Sequence, residues 1–305
     1  MNESNIDIKY LDRPEIDIEK WDRAVAGAAN SLIYAHSVYL DTMAKNWSAL
    51  VWNDYEVIMP LTWNRKFGIS YLYQPAFTAQ LGIFFGKNLG PVIIDKFLET
   101  AKSKFRFCEI HLNFSHPMGG LRTHANYILD LDRTYESIRS GYKKRLLENL
   151  QESSSFQLLY GKNEDYENSI NLFRHEYGNR LSGTRQMDYQ RFENLCHRLL
   201  EKKMIFSREA RNESGKLMNS SIFLEDEHRI YNILSVTPAE GRKTRAHFFL
   251  LDQLIREFSS RKLVLDFEGS ENPGIAEFYR KFGSVNQPYP FYRYNLLPFP
   301  LRLFK

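Results

Sequence analysis

The chain has 305 residues, of which 43% are hydrophobic and 26% are charged, and its net charge is +4. This composition is typical of a globular protein, and the length predicts about two domains. No apolar run approaches the ~18 residues of a membrane span, and the amino-terminal residues lack the features of a secretory signal. The weak positive charge is compatible with phosphate-bearing partners but does not require nucleic acid, so no DNA partner is expected.

Two cysteines, Cys108 and Cys196, are too few for a disulfide framework. Both lie within apolar patterns, which predicts buried thiols in a reducing compartment. We therefore expect a cytoplasmic protein. The eight histidines show no metal-ligand spacing beside a cysteine cluster, so no metal site is expected either.

The first half begins with a predicted strand at residues 6–10 and a helix in which Ile18, Trp21 and Val25 recur at helical spacing. A second helix is predicted over residues 37–45, and Pro91 begins a third that runs to about Lys104. Strands are predicted over residues 47–52, 55–63, 69–73, 78–85, 105–114 and 126–131. Pro60 lies inside one of them, which favours an edge or a bulge at that point.

A polar helix predicted over residues 134–154 joins the two halves. The second half then has the order β-α-α-β-β-β-α-β-α-β, with strands over residues 156–160, 204–210, 216–224, 229–236, 262–267 and 291–295. Its last helix has clear boundaries, because Asn272 suits the N-cap, Pro273 the first helical position and Gly283 the position past the end. The first half repeats the early part of this order less clearly.

The last helix also carries a family pattern. Asn272, Tyr279 and Gly283 follow one another at intervals of seven and four residues, which resembles the end of the core of GNAT (acetyltransferase-type) proteins. The preceding strand end, Asp266-Phe267-Glu268-Gly269, resembles that of the Fem-type transferases, which contain two GNAT domains. The 134–154 helix is similar to the helix before the second Fem domain.

This resemblance implies an α/β (α+β) fold of two tandem GNAT-like lobes, each a mixed, mostly antiparallel sheet flanked by helices. The expected domains are a lobe at residues 1–133, the connecting helix at 134–154, and a lobe at 155–305 with the donor site. The resemblance also suggests Tyr142 and Arg145 of the connecting helix as substrate-binding residues.

Two features depart from the family patterns. The pyrophosphate loop of GNAT proteins is rich in glycine, whereas the corresponding stretch AEGRKTRAHFF has the single glycine Gly241. Fem-type transferases often have a lysine where this chain has Tyr279, which favours a thioester donor over aminoacyl-tRNA.

The donor phosphates are expected at the start of the third helix of the second half, where unpaired N–H groups and the helix dipole attract anions. The alternative is a solvated basic turn. The expected cofactor-binding residues are Gly241, Arg242, Lys243, Thr244, Arg245 and Asn272.

Three side chains are candidates for the chemistry. Tyr279, with an ordinary phenol pKa near ~10, is the candidate acid that protonates the leaving thiolate. Asp266 and Glu268 lie on one face of a strand, and one of them is the candidate base. The alternatives are a core tyrosine, a buried structural acid and a surface glutamate.

The acceptor is expected in a cleft between the halves, where Tyr73 and Gln74 of the first half meet Asp266 and Glu268 of the second. The alternative for Tyr73 and Gln74 is an ordinary β-turn with packed tyrosines. The sequence does not identify the acceptor. We expect a small molecule or a cell-envelope precursor.

The sequence thus predicts an N-acyltransferase that uses an acyl-CoA, such as acetyl-CoA, as donor and an amine as acceptor. One alternative is a Fem-type transferase that moves an amino acid from aminoacyl-tRNA to a peptidoglycan precursor, for which the basic 134–154 helix offers a tRNA contact. The other is a binding protein without catalytic activity that has kept the fold and lost the donor loop, which the single Gly241 favours.

Overall fold

The computed structural model describes residues 7–87, 89–116, 120–178, 183–269 and 271–304. The chain forms two compact units. The first lobe comprises Met1–His124 and Pro288–Lys305, and the second lobe comprises Ala125–Gln287. Within the described residues, no helix is both long and apolar enough to cross a membrane.

The first lobe is built on one sheet with the strand order β1-β2-β3-β4-β6-β15-β7, and β5 pairs with β3. Its strands are β1 (Ile8–Asp12), β2 (Asn46–Trp52), β3 (Val57–Lys66), β4 (Ile69–Tyr73), β5 (Phe84–Phe85), β6 (Phe107–His111), β7 (Thr123–His124) and β15 (Tyr289–Asn295). Its helices are α1 (Ile18–Ala26), α2 (Ser37–Met43) and α3 (Pro91–Lys104). Single 3-10 turns cover Arg13–Glu15, Ile33–Ala35 and Leu301–Phe304.

The second lobe has a sheet with the order β14-β8-β13-β12-β11-β10-β9. Its strands are β8 (Asn126–Asp130), β9 (Leu159–Lys162), β10 (Ile205–Arg211), β11 (Leu217–Glu225), β12 (Arg229–Val236), β13 (Val264–Gly269) and β14 (Val285–Asn286). Its helices are α4 (Tyr135–Ser140), α5 (Lys144–Ser154), α6 (Tyr166–Tyr177), α7 (Gln186–Glu201), α8 (Ala239–Lys243), α9 (Ala246–Phe258) and α10 (Pro273–Arg280).

The two sheets have the same arrangement of strands around one parallel pair. Each contains a parallel pair whose strands are joined through a helix, β4-α3-β6 in the first lobe and β12-α8-α9-β13 in the second. The other strand pairs are antiparallel, as between β2 and β3 or between β10 and β11. A parallel pair needs such a crossover, whereas antiparallel strands are joined by short turns. The prediction of two mixed, mostly antiparallel sheets flanked by helices is confirmed.

The lobe boundaries differ from those predicted at residues 133 and 155. The sequence places strand β8 in the first lobe, but it pairs with β13 in the second sheet, where Leu265 lies opposite Leu129. The sequence places the last strand, β15, in the second lobe, but it pairs with β6 in the first sheet, where Tyr292 lies opposite Ile110. Sequence order does not reveal such returns, because β8 and β15 have the same alternating pattern whichever sheet they join.

The predicted 134–154 helix is two helices, and both belong to the second lobe. The break falls at Gly141–Lys143, where Lys143 is extended and its N–H donates to the carbonyl of Lys281 at 2.9 Å. Gly283 fits against this break with φ +78°, and a Cβ on it would lie 3.0 Å from the carbonyl oxygen of Gly141. The residues that follow α10 therefore pack directly against the break between α4 and α5.

The predicted strand over residues 78–85 is also shorter than expected, because only β5 forms. In the preceding residues, Leu81 forms only an isolated bridge to Leu112, and side chains hold the rest. The amide of Gln74 donates to the carbonyl of Thr78 at 2.9 Å, and Gln80 accepts from the N–H of Phe114 at 2.9 Å. Pro60 lies in β3 between the stretches paired with β5 and β4, so its missing N–H falls where β3 has a local edge.

Each lobe buries its own apolar core. In the second lobe, α9 contributes Leu250, Leu251, Leu254 and Ile255, which pack with Leu265 and Phe267 of β13. In the first lobe, Phe97 and Leu98 of α3 pack with Ile110 and Met59 of the sheet. Cys108 and Cys196 are free and buried, as predicted.

Candidate functional site

The parallel strands β12 and β13 separate part of the way along their length. They are in register at three positions, from Arg229 opposite Val264 to Tyr231 opposite Asp266. Beyond these, β12 continues to Val236 and β13 to Gly269 without pairing with each other over the described residues. Backbone N–H and C=O groups along both facing edges are thereby left for other partners. In open α/β sheets, ligands bind at this kind of opening, at the carboxyl ends of the strands.

Helix α10 begins beside this opening and carries Tyr279. Asn272 is its N-cap and accepts from the N–H groups of Gly274 at 2.8 Å and Ile275 at 3.4 Å, and Pro273 occupies the first turn. The predicted start of the last helix is therefore confirmed. The ring of Tyr279 stacks on Phe267 of β13 with a centroid distance of 5.0 Å. Its position relative to the strand end is thus fixed by a cap and a ring stack.

Tyr279 is half-buried and lies in a negatively charged environment. Burial raises its pKa above the ordinary value, and the carboxylates of Glu268 and Asp266 raise it further. The pKa of this phenol therefore departs from the ordinary value that the sequence predicts. A phenol with a raised pKa stays protonated at neutral pH, yet it transfers its proton to a thiolate less readily. Its favoured role is to donate a hydrogen bond to developing negative charge.

Glu268 reaches this site through an unusual backbone. Its φ is +67°, a left-handed conformation that side chains rarely adopt, and the ladder to β8 shifts register between Asp266 and Gly269. Such a conformation costs about 1–3 kcal/mol and persists only where the surroundings impose it. The bulge places the Glu268 carboxylate near enough to Tyr279 to raise the pKa of the phenol. A strained residue of this kind motivates a functional role for Glu268.

Asp266 has a different environment. Its Oδ2 accepts from Arg229 Nη1 at 2.5 Å and from Asn126 Nδ2 at 3.2 Å, and its Oδ1 accepts from the N–H of Glu268 at 2.9 Å. Both side chains of the ion pair are at most 7% exposed. The pair joins β12, β13 and β8, and it fixes the backbone turn that presents Glu268. Of the two predicted bases, Glu268 is therefore better suited to accept a proton.

Replacing Asp266 with Asn should destabilise the second lobe by about 3–5 kcal/mol, because Arg229 then remains buried without an anion. Urea unfolding followed by far-UV circular dichroism measures the loss. Asp130→Asn is a matched control on β8, where the carboxylate is exposed and lies 4.0 Å from Arg133, and should cost at most about 1 kcal/mol. Equal midpoints for the two variants would contradict a structural role of the Arg229–Asp266 pair.

The predicted donor turn takes a specific shape. Residues 239–243 form the short helix α8, and α9 begins only at Ala246, after Arg245 in the left-handed conformation. Gly241 is buried, and a Cβ on it would lie 1.7 Å from the carbonyl oxygen of Met218. The single glycine is thus explained by close packing of α8 on β11. Thr244 donates its hydroxyl to the carbonyl of Gly241 at 3.2 Å.

Two of the three cations at this turn have partners within the second lobe. Arg242 donates to the carbonyl of Thr237 at 2.6 Å and lies 3.3 Å from Glu176. Arg245 forms an ion pair with Glu152 at 3.0 Å. Lys243 is exposed. An incoming phosphate would therefore compete with carboxylates for both arginines.

His247, in the first turn of α9, was not singled out from the sequence. Its ring stacks on Phe278 at 4.7 Å, and its Nε2 atom is buried without a hydrogen-bond partner. Burial lowers its pKa to about 4, so the ring is neutral at physiological pH. The only sequence signal was a histidine next to the predicted start of a helix.

The remaining predicted residues lie in three places. Tyr142 has its ring against Phe282 at 5.6 Å, and burial raises the pKa of its hydroxyl. Arg145 is exposed and pairs with Glu148 at 2.8 Å. In the first lobe, Tyr73 accepts from the N–H of Lys45 at 2.8 Å, and Gln74 accepts from the N–H of His111 at 3.0 Å. The cleft that they were predicted to share with Asp266 and Glu268 stays a prediction.

No protein-family model matches the sequence, and no curated protein sequence matches it. Solved structures match it at the level of the fold. FemX is similar over 97% of this chain and 99% of its own, with a TM-score of 0.69 and 11% identity. A conserved protein of unknown function from Bacteroides thetaiotaomicron covers 94% of this chain and 99% of its own, with a TM-score of 0.57 and 11% identity.

A third similar structure is the C-terminal domain of a putative lysylphosphatidylglycerol synthetase from Agrobacterium fabrum. It covers 94% of this chain and 94% of its own, with a TM-score of 0.55 and 12% identity. At such identities the likeness concerns the fold. The chain therefore has a two-lobe fold similar to that of FemX.

Proposed function

We propose that this protein is an N-acyltransferase that moves an acyl group from an activated donor to an amine. The observation that carries this proposal is the place of Tyr279, whose ring is half-buried and stacks on Phe267, beside the strained Glu268 at the point where β12 and β13 separate. Acyl transfer needs a base for the amine and a hydrogen-bond donor for the negative charge that develops in the transition state. Glu268 and Tyr279 supply one of each.

In the proposed reaction, the amine nitrogen attacks the carbonyl carbon of the donor and the bond from that carbon to the leaving group breaks. The proton of the amine goes to Glu268. Tyr279 donates a hydrogen bond to the negative charge on the departing group. Asp266 stays paired with Arg229 and positions Glu268 through the Glu268 N–H.

An acyl-CoA such as acetyl-CoA is the proposed donor, with its phosphates at the start of α9 near Arg242, Lys243 and Arg245. The second candidate is aminoacyl-tRNA with a cell-envelope acceptor. The ion pairs of Arg242 and Arg245 with Glu176 and Glu152 favour this candidate, because they occupy two of the expected phosphate contacts. A similar fold occurs in a protein whose name refers to lysylphosphatidylglycerol, which also fits lysyl transfer to a cell-envelope molecule.

Calorimetric titration with acetyl-CoA distinguishes these donors. If the placement is right, the protein binds acetyl-CoA, and the Arg242→Ala/Lys243→Ala double variant binds at least about tenfold more weakly with a smaller salt dependence. Lys162→Ala/Lys202→Ala removes the same charge from distant exposed positions and should leave the affinity unchanged.

If acetyl-CoA does not bind while aminoacyl-tRNA binds with strong salt dependence, the second candidate is correct. If neither donor binds and neither raises the melting temperature, the protein is not a transferase of this kind.

A further inference from the structure

We propose that the second lobe has a separate binding site for a small anionic amphiphile, in a groove formed by α4, α5 and α9. The ligand is a phosphate or carboxylate head on a short apolar tail. None of the residues that line this groove belongs to the surroundings of Tyr279. The inference therefore does not depend on the proposed acyl transfer.

The groove is a cavity of about 630 Å³. Its apolar walls come from Leu147 and Leu150 of α5 and Phe249 of α9. Leu147 is 37% exposed although it is large and apolar. A volume of this size is within the range of about 300–1,000 Å³ typical of small-molecule sites, and apolar walls are the usual lining. The tail of the ligand would cover the side chains that the fold leaves exposed.

Three cations, Arg139, Lys144 and Arg256, line the same cavity. In the described part of the chain, none of them lies within 4.0 Å of a carboxylate. Their neighbours are paired, since Lys143, Arg145 and Arg245 contact Glu277, Glu148 and Glu152. The Asp252 carboxylate acts on Arg139 and Arg256 at longer range. Three cations around one cavity, none of them in a close ion pair, are complementary to an anion.

Contacts within the lobe hold part of the cationic side of the groove in place before any ligand binds. The guanidinium of Arg256 lies over the ring of Tyr135 at 4.4 Å from its centroid. The hydroxyl of Tyr135 donates to Asp252 at 2.8 Å, and burial raises the pKa of this carboxyl. Glu148, the other carboxylate of the lining, already pairs with Arg145. The lining therefore carries three cations and two carboxylates, and one of these carboxylates, Glu148, is already in an ion pair. The charge of the groove is positive overall and attracts an anionic head group.

Octyl phosphate is the probe for this site, titrated calorimetrically below its micelle concentration. We expect saturable binding to the full chain, much weaker binding of inorganic phosphate, and none of octanol at the same concentrations. Arg139→Gln/Lys144→Gln/Arg256→Gln should reduce the affinity for octyl phosphate by about tenfold or more, because charge-assisted hydrogen bonds are lost. Gln253→Trp, which fills the groove without changing charge, should reduce it as well.

The charge-matched control is Arg133→Gln/Lys162→Gln/Lys202→Gln, at exposed positions outside the groove. Absence of octyl phosphate binding, or equal loss of affinity in the control and in the groove variant, would overturn the proposal. Sedimentation with phosphatidylglycerol vesicles, compared with phosphatidylcholine vesicles, identifies the source of the ligand. Binding that depends on Arg139, Lys144 and Arg256 indicates a membrane lipid, and binding of octyl phosphate alone indicates a soluble anion.

Discussion

Tyr279→Phe is expected to lower the rate constant of acyl transfer by about 10²–10³-fold, the range typical for the loss of one preorganised donor to developing negative charge. The phenol is kept protonated by burial and by the carboxylates of Glu268 and Asp266, so it is a permanent hydrogen-bond donor at neutral pH. The phenylalanine ring still stacks on Phe267, so donor affinity should change little. The fold should be kept, since one hydrogen bond contributes about 1 kcal/mol net.

Single-turnover release of free thiol from acetyl-CoA, in the presence of a panel of amines, measures this effect. Tyr127→Phe is a matched control, because its ring lies 6.1 Å from that of Tyr279 within the same cluster. It should retain a rate within a few-fold of the parent protein, as expected for a residue that makes no hydrogen bond to the donor. A parent-like rate in Tyr279→Phe would return this residue to a packing role.

Gly241→Ala should destabilise the second lobe by at least about 3 kcal/mol, at the upper end of the range for overpacked sites. The added Cβ would meet the main-chain oxygen of Met218 at 1.7 Å. A backbone atom in a central strand cannot rotate away as a side chain can, so α8 must move off the sheet. The change would also shift Arg242 and Arg245, which follow the glycine at the same turn.

Urea unfolding of the purified variant measures this loss. Gly161→Ala is the control, because a Cβ at Gly161 in β9 would meet nothing within 4 Å. That variant should unfold within about 0.5 kcal/mol of the parent, as surface substitutions usually do. If Gly241→Ala were equally stable, α8 would not pack against β11 as closely as the distance indicates.

The sequence allowed prediction of features that depend on local patterns. Strand β12, helix α3 and the start of α10 lie where apolar periodicity, Pro91 and Asn272 placed them. The motif around Tyr279 led to the correct fold, because its spacing follows from one helix and its cap. These features can be predicted because each depends only on residues that are close together in the sequence.

Features that depend on distant partners were not predictable in this way. Asp266 looks like a candidate base until Arg229 and Asn126, 37 and 140 residues away, are placed on it. The pKa of Tyr279 depends on a burial that only the packed α10 creates. Gly241 looks like the remnant of a phosphate loop, whereas its contact is the carbonyl of Met218 on another strand. Each of these depends on a tertiary contact that spacing along the chain does not encode.

The placement of β15 also determines the order in which the two lobes can be completed during synthesis. All strands of the second sheet lie within residues 125–287, so that lobe is continuous in the chain. The first sheet lacks its strand beside β6 until residues 289–295 have emerged from the ribosome. Because chains are made from the amino terminus, the second lobe has all its residues before the first. The lobe that begins the chain is therefore the last to be closed, and its β6 edge stays open for pairing throughout the synthesis of the second lobe.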